Sequence, residues 1–108
     1  MIIIFKDKDL QQLIETGKSK KYKAIAKDKK LVQQLADTYN AMAEAENINV
    51  MAKISFLHYE KLKHSYSGKS SVRPFGKRRV ERLIFTENDN KIEITILEME
   101  DNHYGNKK

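Results

Sequence analysis

The apolar residues of this chain change their spacing near Ser70, and that change limits the fold more than any other feature. Before it they recur at helical intervals. Leu10, Leu13 and Ile14 fall at i, i+3 and i+4, and Ile25, Val32, Leu35, Tyr39 and Met42 keep one face apolar through Ala45. After it they alternate, with Ile92, Ile94 and Ile96 on one side of a strand from Lys91 to Glu98. Ile2-Ile3-Ile4-Phe5 opens the chain as a short buried strand. The order is strand, helix, helix, then three strands. It predicts an α+β domain, β-α-α-β-β-β, with two N-terminal helices packed on one face of a mostly antiparallel sheet. Without repeat or linker, residues 1–108 form a single domain.

Punctuation residues place the boundaries. Asp7 is an N-cap for the first helix and Gly17 a left-handed stop. Ser19 caps the second, whose Ala26–Lys30 run faces solvent; the spacing predicts one continuous helix, with Asp28 the place where it would break. Asn47–Val50 ends it, and Ile54–Leu62 reads as either strand or turn. Ser71–Phe75, Gly76 and Arg79–Glu87 form a hairpin, and Asn88-Asp89-Asn90 turns into the last strand. Pro74 has no N–H for a ladder, so its strand lies at an edge or near its own end.

Charge is concentrated as sharply as periodicity. Phe56–Phe85 holds eight Lys/Arg against two Glu, while the other residues carry thirteen of each sign, so the formal charge of +6 resides there. Phe56, His58, Tyr59, His64, Tyr66 and Phe75 are interleaved with the cations. Such a mixture neutralises phosphates and offers bases a stacking surface, which predicts an RNA- or DNA-facing patch; anionic lipid would satisfy the same charge. No apolar run approaches the roughly 18 residues of a membrane span, and the opening MIIIF is too short for a secretory leader. Cysteine is absent, which removes disulfides, thiol nucleophiles and thiolate metal sites and fits a cytoplasmic location.

The chemistry such a patch could hold centres on Arg82. Alternation puts it on one face with Val80 and Ile84, and puts Arg79 and Glu81 on the other with Leu83 and Phe85. Either it pairs internally with Glu93 or Glu98 of the next strand, or its guanidinium is held as a fork for a phosphate. Lys61 and Lys63 point the same way if extended, and Arg73, biased to extended backbone by Pro74, projects from the edge strand. Lys77, Arg78 and Arg79 sit at the hairpin tip, as a phosphate grip or simply in solvent. His58 and His64 lack metal-ligand spacing, so neither a metal nor another cofactor is implied. Cleaving RNA without a metal takes a base for the 2′-hydroxyl, cations for the crowded phosphorane and an acid for the leaving oxygen. Lys63, Arg73, Arg82, His103 and Tyr104 could furnish that set if the tail folds back beside Arg82 and Lys63.

In these residues the chain resembles the bacterial HigB toxins of the RelE/ParE superfamily. The resemblance rests on several segments taken in order: Phe5-Lys6-Asp7-Lys8-Asp9-Leu10 with the Glu15-Thr16-Gly17 helix end, and Leu57-His58-Tyr59-Glu60-Lys61-Leu62-Lys63 followed by Gly68. Ser71-Val72-Arg73, Arg82-Leu83-Ile84-Phe85 and the terminal His103-Tyr104 complete it. It implies a small RelE-like domain acting as the toxin of a two-gene pair. Such a toxin enters the ribosomal decoding site and cleaves messenger RNA there without a metal. A co-transcribed helix-turn-helix antitoxin of the HigA type silences it. Carried over by position, Lys63 is the basic residue after the long helix, Arg82 would contact the scissile phosphate and Arg73 would support it. His103 and Tyr104 stand where the family places its terminal acid–base group. The family often ends Asp-Tyr-His straight after the last strand, whereas here Glu98, Glu100 and Asp101 precede the pair, so acid and base stay unassigned between the two. Two other functions fit the same charge: a toxin of this fold that binds a protein target such as DNA gyrase, and a non-catalytic RNA-binding module.

Overall fold

β1 (Ile2–Phe5) runs into Asp7, whose extended backbone ends the strand and whose carboxylate starts a helix by accepting the Leu10 N–H. α1 (Lys8–Thr16) continues to Gly17, which adopts φ 77 and returns its N–H to the Leu13 carbonyl at 2.8 Å. Both caps stand where the sequence put them. The computed structural model describes residues 1–100; residues 101–108 lie outside the described residues.

The second helix is not continuous. Asp28 takes an extended conformation and its carboxylate accepts the N–H groups of Lys30 and Leu31, which ends the short α2 (Lys23–Ala26) and starts α3 (Lys29–Glu44). A side chain able to cap competes with the helix it interrupts, and here the cap prevails. Ser19 accepts the Tyr22 N–H in the turn before α2 rather than capping a long helix. Asn47 begins an element instead of ending one: its side chain accepts the Val50 N–H at the start of α4 (Ile48–Ala52). Among the described residues, no helix is long and apolar enough to cross a membrane.

Ile54–Leu62 resolves into a 3-10 turn (Ser55–Leu57) and a two-residue strand, β2 (Glu60–Lys61). Four strands therefore follow the helices, where three were expected: β2, β3 (Ser70–Val72), β4 (Arg82–Glu87) and β5 (Glu93–Glu100). The sheet runs β1-β5-β4-β3-β2, antiparallel except for the β1–β5 pair. Phe5, Val72, Leu83, Phe85, Ile94, Ile96 and Met99 pack from one face against Leu10, Leu13, Leu35 and Met42 of α1 and α3. β4 starts at Arg82, not Arg79, because residues 73–81 form a loop that leaves Val80 exposed.

One irregularity decides which side chains reach the outer face, the one away from Leu83 and Phe85. Ile84 pairs with Glu98 but Phe85 pairs with Ile96, so Leu97 is an extra residue in β5. Unbroken alternation would put Glu98 and Glu100 on the core side with Ile94 and Ile96. The bulge shifts them outward and brings Met99 in, opposite Leu83.

Candidate functional site

The outer face of the sheet is read off the register. Arg82 is directly opposite Glu100, and a row beside them runs Glu60, Ser71, Ile84, Glu98 across four strands. Arg82 donates through Nε to Glu100 Oε1 at 2.8 Å, with the two side chains 12% and 10% exposed. An internal carboxylate partner was one of the two sequence readings, but it is Glu100 rather than Glu93 or Glu98. Glu93 instead accepts a hydrogen bond from Asn88.

A third side chain completes this cluster. The loop between β2 and β3 contains a 3-10 turn (His64–Tyr66), entered through His64 at φ 59. The loop doubles back over the outer face, so that the Tyr66 hydroxyl donates to Glu100 Oε2. The Arg82 guanidinium and the Lys69 ammonium each lie 5.5 Å from the Tyr66 ring centroid. The hydrogen bond to Glu100 and then burial push the Tyr66 phenol above its ordinary pKa, so it stays a donor.

The other basic residues divide by what they already touch. Arg79 is spoken for: its Nε and Nη2 donate to both oxygens of Glu81 at 3.0 and 2.6 Å, and its guanidinium lies over the Phe75 ring. Arg73 donates from Nη1 to the Arg79 carbonyl at 3.0 Å, bracing the loop. Lys61 bonds Glu87 Oε1 at 3.3 Å. Its neighbour in register is Ser70, not Ser71, so it stands on the core-side face and not on that of Arg82. Lys63, Lys77 and Arg78 are exposed. Lys77 and Arg73 line a shallow cavity of about 300 Å³ with His58, Tyr59 and Glu60. Of the expected site residues, Lys63 stands at the start of the turn whose Tyr66 lies against Arg82. Arg73, Lys77, Arg78 and Arg79 belong to the 73–81 loop, and Lys61 to the far end of the hairpin. His103 and Tyr104 lie outside the described residues.

Glu87 anchors that far end. Tyr59 and Ser70 donate to its Oε2 and Lys61 to Oε1. Burial alone would raise the Glu87 carboxyl, but these donors outweigh it and hold it below the ordinary value. Burial and then the Glu87 hydrogen bond push Tyr59 up to about 12.

Two participants escaped the sequence reading. Tyr66 was noted only as one aromatic among cations, because its role depends on a loop reversal that periodicity does not encode. Glu60 is an exposed carboxylate on the same face as Arg82, two strands away. A strand of two residues has no alternation to read, so its face could not be inferred. As a set, the outer face offers one braced guanidinium, exposed carboxylates at Glu60 and Glu98, and cations on the adjoining loop. That suits binding an anion and moving a proton beside it.

No protein-family model and no curated protein matches the chain. Solved structures do. A chain of the YoeB–YefM complex from Staphylococcus aureus matches with a TM-score of 0.55, covering 96% of this chain and 98% of that one at 20% identity. A second structure, the heterotetrameric YoeB–YefM toxin–antitoxin complex from the same organism, matches with a TM-score of 0.55 over the same shares at 22% identity. The fold is RelE/YoeB-like. The α+β class and the mostly antiparallel sheet expected from sequence are observed, with one strand more than expected.

Proposed function

We propose that this protein is the toxin of a type II toxin–antitoxin pair, and that it cleaves messenger RNA on the ribosome through its own side chains, inhibiting translation. The observation that carries the reading is the braced Arg82 on the outer face of a RelE/YoeB-like sheet. The loop that carries Tyr66 reaches this face, and the cations of the basic stretch border it. The matched structures are toxin–antitoxin complexes, which supports an antitoxin as the cognate partner. The HigB-type sequence resemblance extends this to a HigA-like helix-turn-helix antitoxin.

In this scheme Arg82 meets the scissile phosphate and stabilises the phosphorane, a contribution worth about 10²–10³ in rate when one such donor is lost. Lys63, Lys77 and Arg78 grip neighbouring phosphates. Arg73 supports the loop, and Lys61 and Arg79 act only at its margins. The terminal pair His103 and Tyr104 supplies acid and base, with Glu60 as a carboxylate on the same face. Expressing wild type and Arg82→Ala and mapping transcript ends by primer extension tests it. Codon-spaced cuts are expected with wild type and none with the variant.

A second reading has its own support. Because Arg82 is neutralised by Glu100, the same face could serve a non-nuclease toxin that docks on a protein target such as gyrase. Equal toxicity from both forms without any cuts would favour it and defeat the nuclease. A folded wild type that binds RNA but is neither toxic nor cleaves would indicate a plain RNA-binding module.

A further inference from the structure

An exposed apolar side chain is ordinary when it stands alone, but Phe56, 54% exposed, borders a cavity. That cavity, about 530 Å³, lies between Gln34 and Asp37 of α3 on one side and Phe56, His58, Pro74 and Phe75 on the other. Gln34 and Asp37 are three residues apart on the helix, so their polar groups converge on a largely apolar space. The described residues lining it include no lysine or arginine. The cations line the adjoining cavity, where Arg73 and Lys77 meet His58, the side chain common to both. His58 turns the chain there at φ 52, a left-handed backbone uncommon outside glycine. Arg73 gives Nη1 to the Arg79 carbonyl, and a guanidinium has five N–H groups in all. A ring to stack on, next to a pair of cations, suits a single nucleotide: base in one cavity, phosphate in the other.

The identity of the base follows from the carboxylate. Asp37 Oδ1 accepts the Gln33 amide at 2.9 Å, but a carboxylate oxygen can take two donors, as Glu87 Oε2 does with Tyr59 and Ser70. An ionised carboxylate only accepts. Of the four RNA bases, guanine alone presents two adjacent donors, N1–H and N2–H2, on its Watson–Crick edge. The others each set an acceptor against Asp37. We propose that the groove between α3 and the 73–81 loop is a guanine-binding subsite for RNA. Phe56 stacks on the base, Asp37 reads its two donors, and Arg73 and Lys77 hold the adjoining phosphate. The RNA partner rests on the reading above, but the base preference does not require cleavage. Glu60 lines the second cavity and stands on the outer face with Arg82, so the subsite takes a nucleotide flanking the one at Arg82.

Uncleavable 2′-O-methyl trinucleotides, alike except for a central guanine, hypoxanthine or adenine, test this without turnover. Wild type should bind the guanine form about tenfold more tightly than the adenine form, the scale of one bidentate base contact. Hypoxanthine, which lacks the 2-amino group, should fall between them. Asp37→Asn should bring the three together, and Phe56→Ala should weaken all of them about tenfold, within the range for one stacked base. Both side chains are exposed, and unchanged urea midpoints would confirm that the variants fold. The guanine form should also move the aromatic NMR signals of Phe56. Equal affinity for guanine and adenine in wild type overturns the subsite, as does a guanine preference that survives in Asp37→Asn. A Phe56 signal that no oligonucleotide moves also overturns it and leaves the groove to a protein side chain. Guanine-selective binding without ribosomal cleavage would uphold the subsite and sink only the nuclease reading; cleavage without such selectivity would do the reverse.

Discussion

Arg82 faces Glu100 because β5 carries one residue more than β4 between the two pairs Ile84–Glu98 and Phe85–Ile96. The bulge at Leu97 turns what would be a core-side glutamate into the partner of the central arginine. Such irregularities commonly re-aim a side chain near a functional surface. The pair is buried enough that its two halves depend on each other.

Replacing Arg82 alone should therefore cost stability as well as any activity. Arg82→Ala removes the cation beside the mostly buried Glu100 carboxylate, and we expect a loss of about 3 kcal/mol, the low end for breaking a largely buried pair. The double variant Arg82→Ala/Glu100→Ala should recover most of it. Urea unfolding of the four members of the cycle measures this. Additive losses would mean the two side chains do not depend on each other.

The Asp7–Tyr22 contact gives a pH prediction of defined sign. Burial would raise the Asp7 carboxyl, but hydrogen bonds from Tyr22, Lys21 and the Leu10 N–H outweigh it and hold the group below its ordinary 3.8. A carboxylate depressed in the folded state stabilises fully above its unfolded pKa and ceases to do so as pH falls through the folded one. Asp7→Asn should thus be less stable than wild type at neutral pH, with the gap closing below about pH 4. At the other end, burial and then Asp7 push Tyr22 up to about 12. Its contribution is complete below its ordinary 10.0 and is lost as pH rises from there through about 12. Urea midpoints across this range, with Tyr22→Phe as the alkaline control, would show both limbs.

How much of this was legible in the sequence depends on whether the signal is local. The Asp7 and Gly17 caps were readable because each acts on its own helix terminus within a few residues. So was the core, since Leu10, Leu13, Ile94 and Ile96 follow simple periods. The break at Asp28 was visible as an alternative, yet lost to a continuous apolar stripe. The partner of Arg82 was not readable, because one bulged residue reverses the face of everything after it. Tyr66 was hidden for a similar reason: a loop reversal carries it back across the sheet to Glu100 of β5, 34 positions further along the chain.

Gly17 tests the left-handed stop directly. Its φ of 77 strains any side chain, and a Cβ there would also meet Val32 Cγ1 of α3 at 3.4 Å. Gly17→Ala should lower stability by about 1–2 kcal/mol, the cost of placing an ordinary residue in that region. Gly17→Asn should lose less, because asparagine tolerates the conformation better. Thermal or urea unfolding of the two variants compares them, and an alanine variant as stable as wild type would show that the turn relaxes.

The division of the basic stretch into engaged and exposed cations predicts how RNA binding responds to salt. Each phosphate neutralised on a single strand contributes about 0.7 to the slope of log affinity against log salt, so five contacts imply roughly a 10²-fold loss between about 50 and about 200 mM. Lys77 and Arg78 are exposed on the 73–81 loop, so Lys77→Ala/Arg78→Ala should reduce the slope by about 1.4. Arg79 is closed on Glu81 and their charges cancel, so Arg79→Ala/Glu81→Gln should leave the slope nearly as it was. Fluorescence anisotropy with a labelled single-stranded oligonucleotide distinguishes the two. Equal reductions would mean that net charge, and not the pattern of free cations, governs the contact; a flat response in wild type would remove the electrostatic basis for RNA binding altogether.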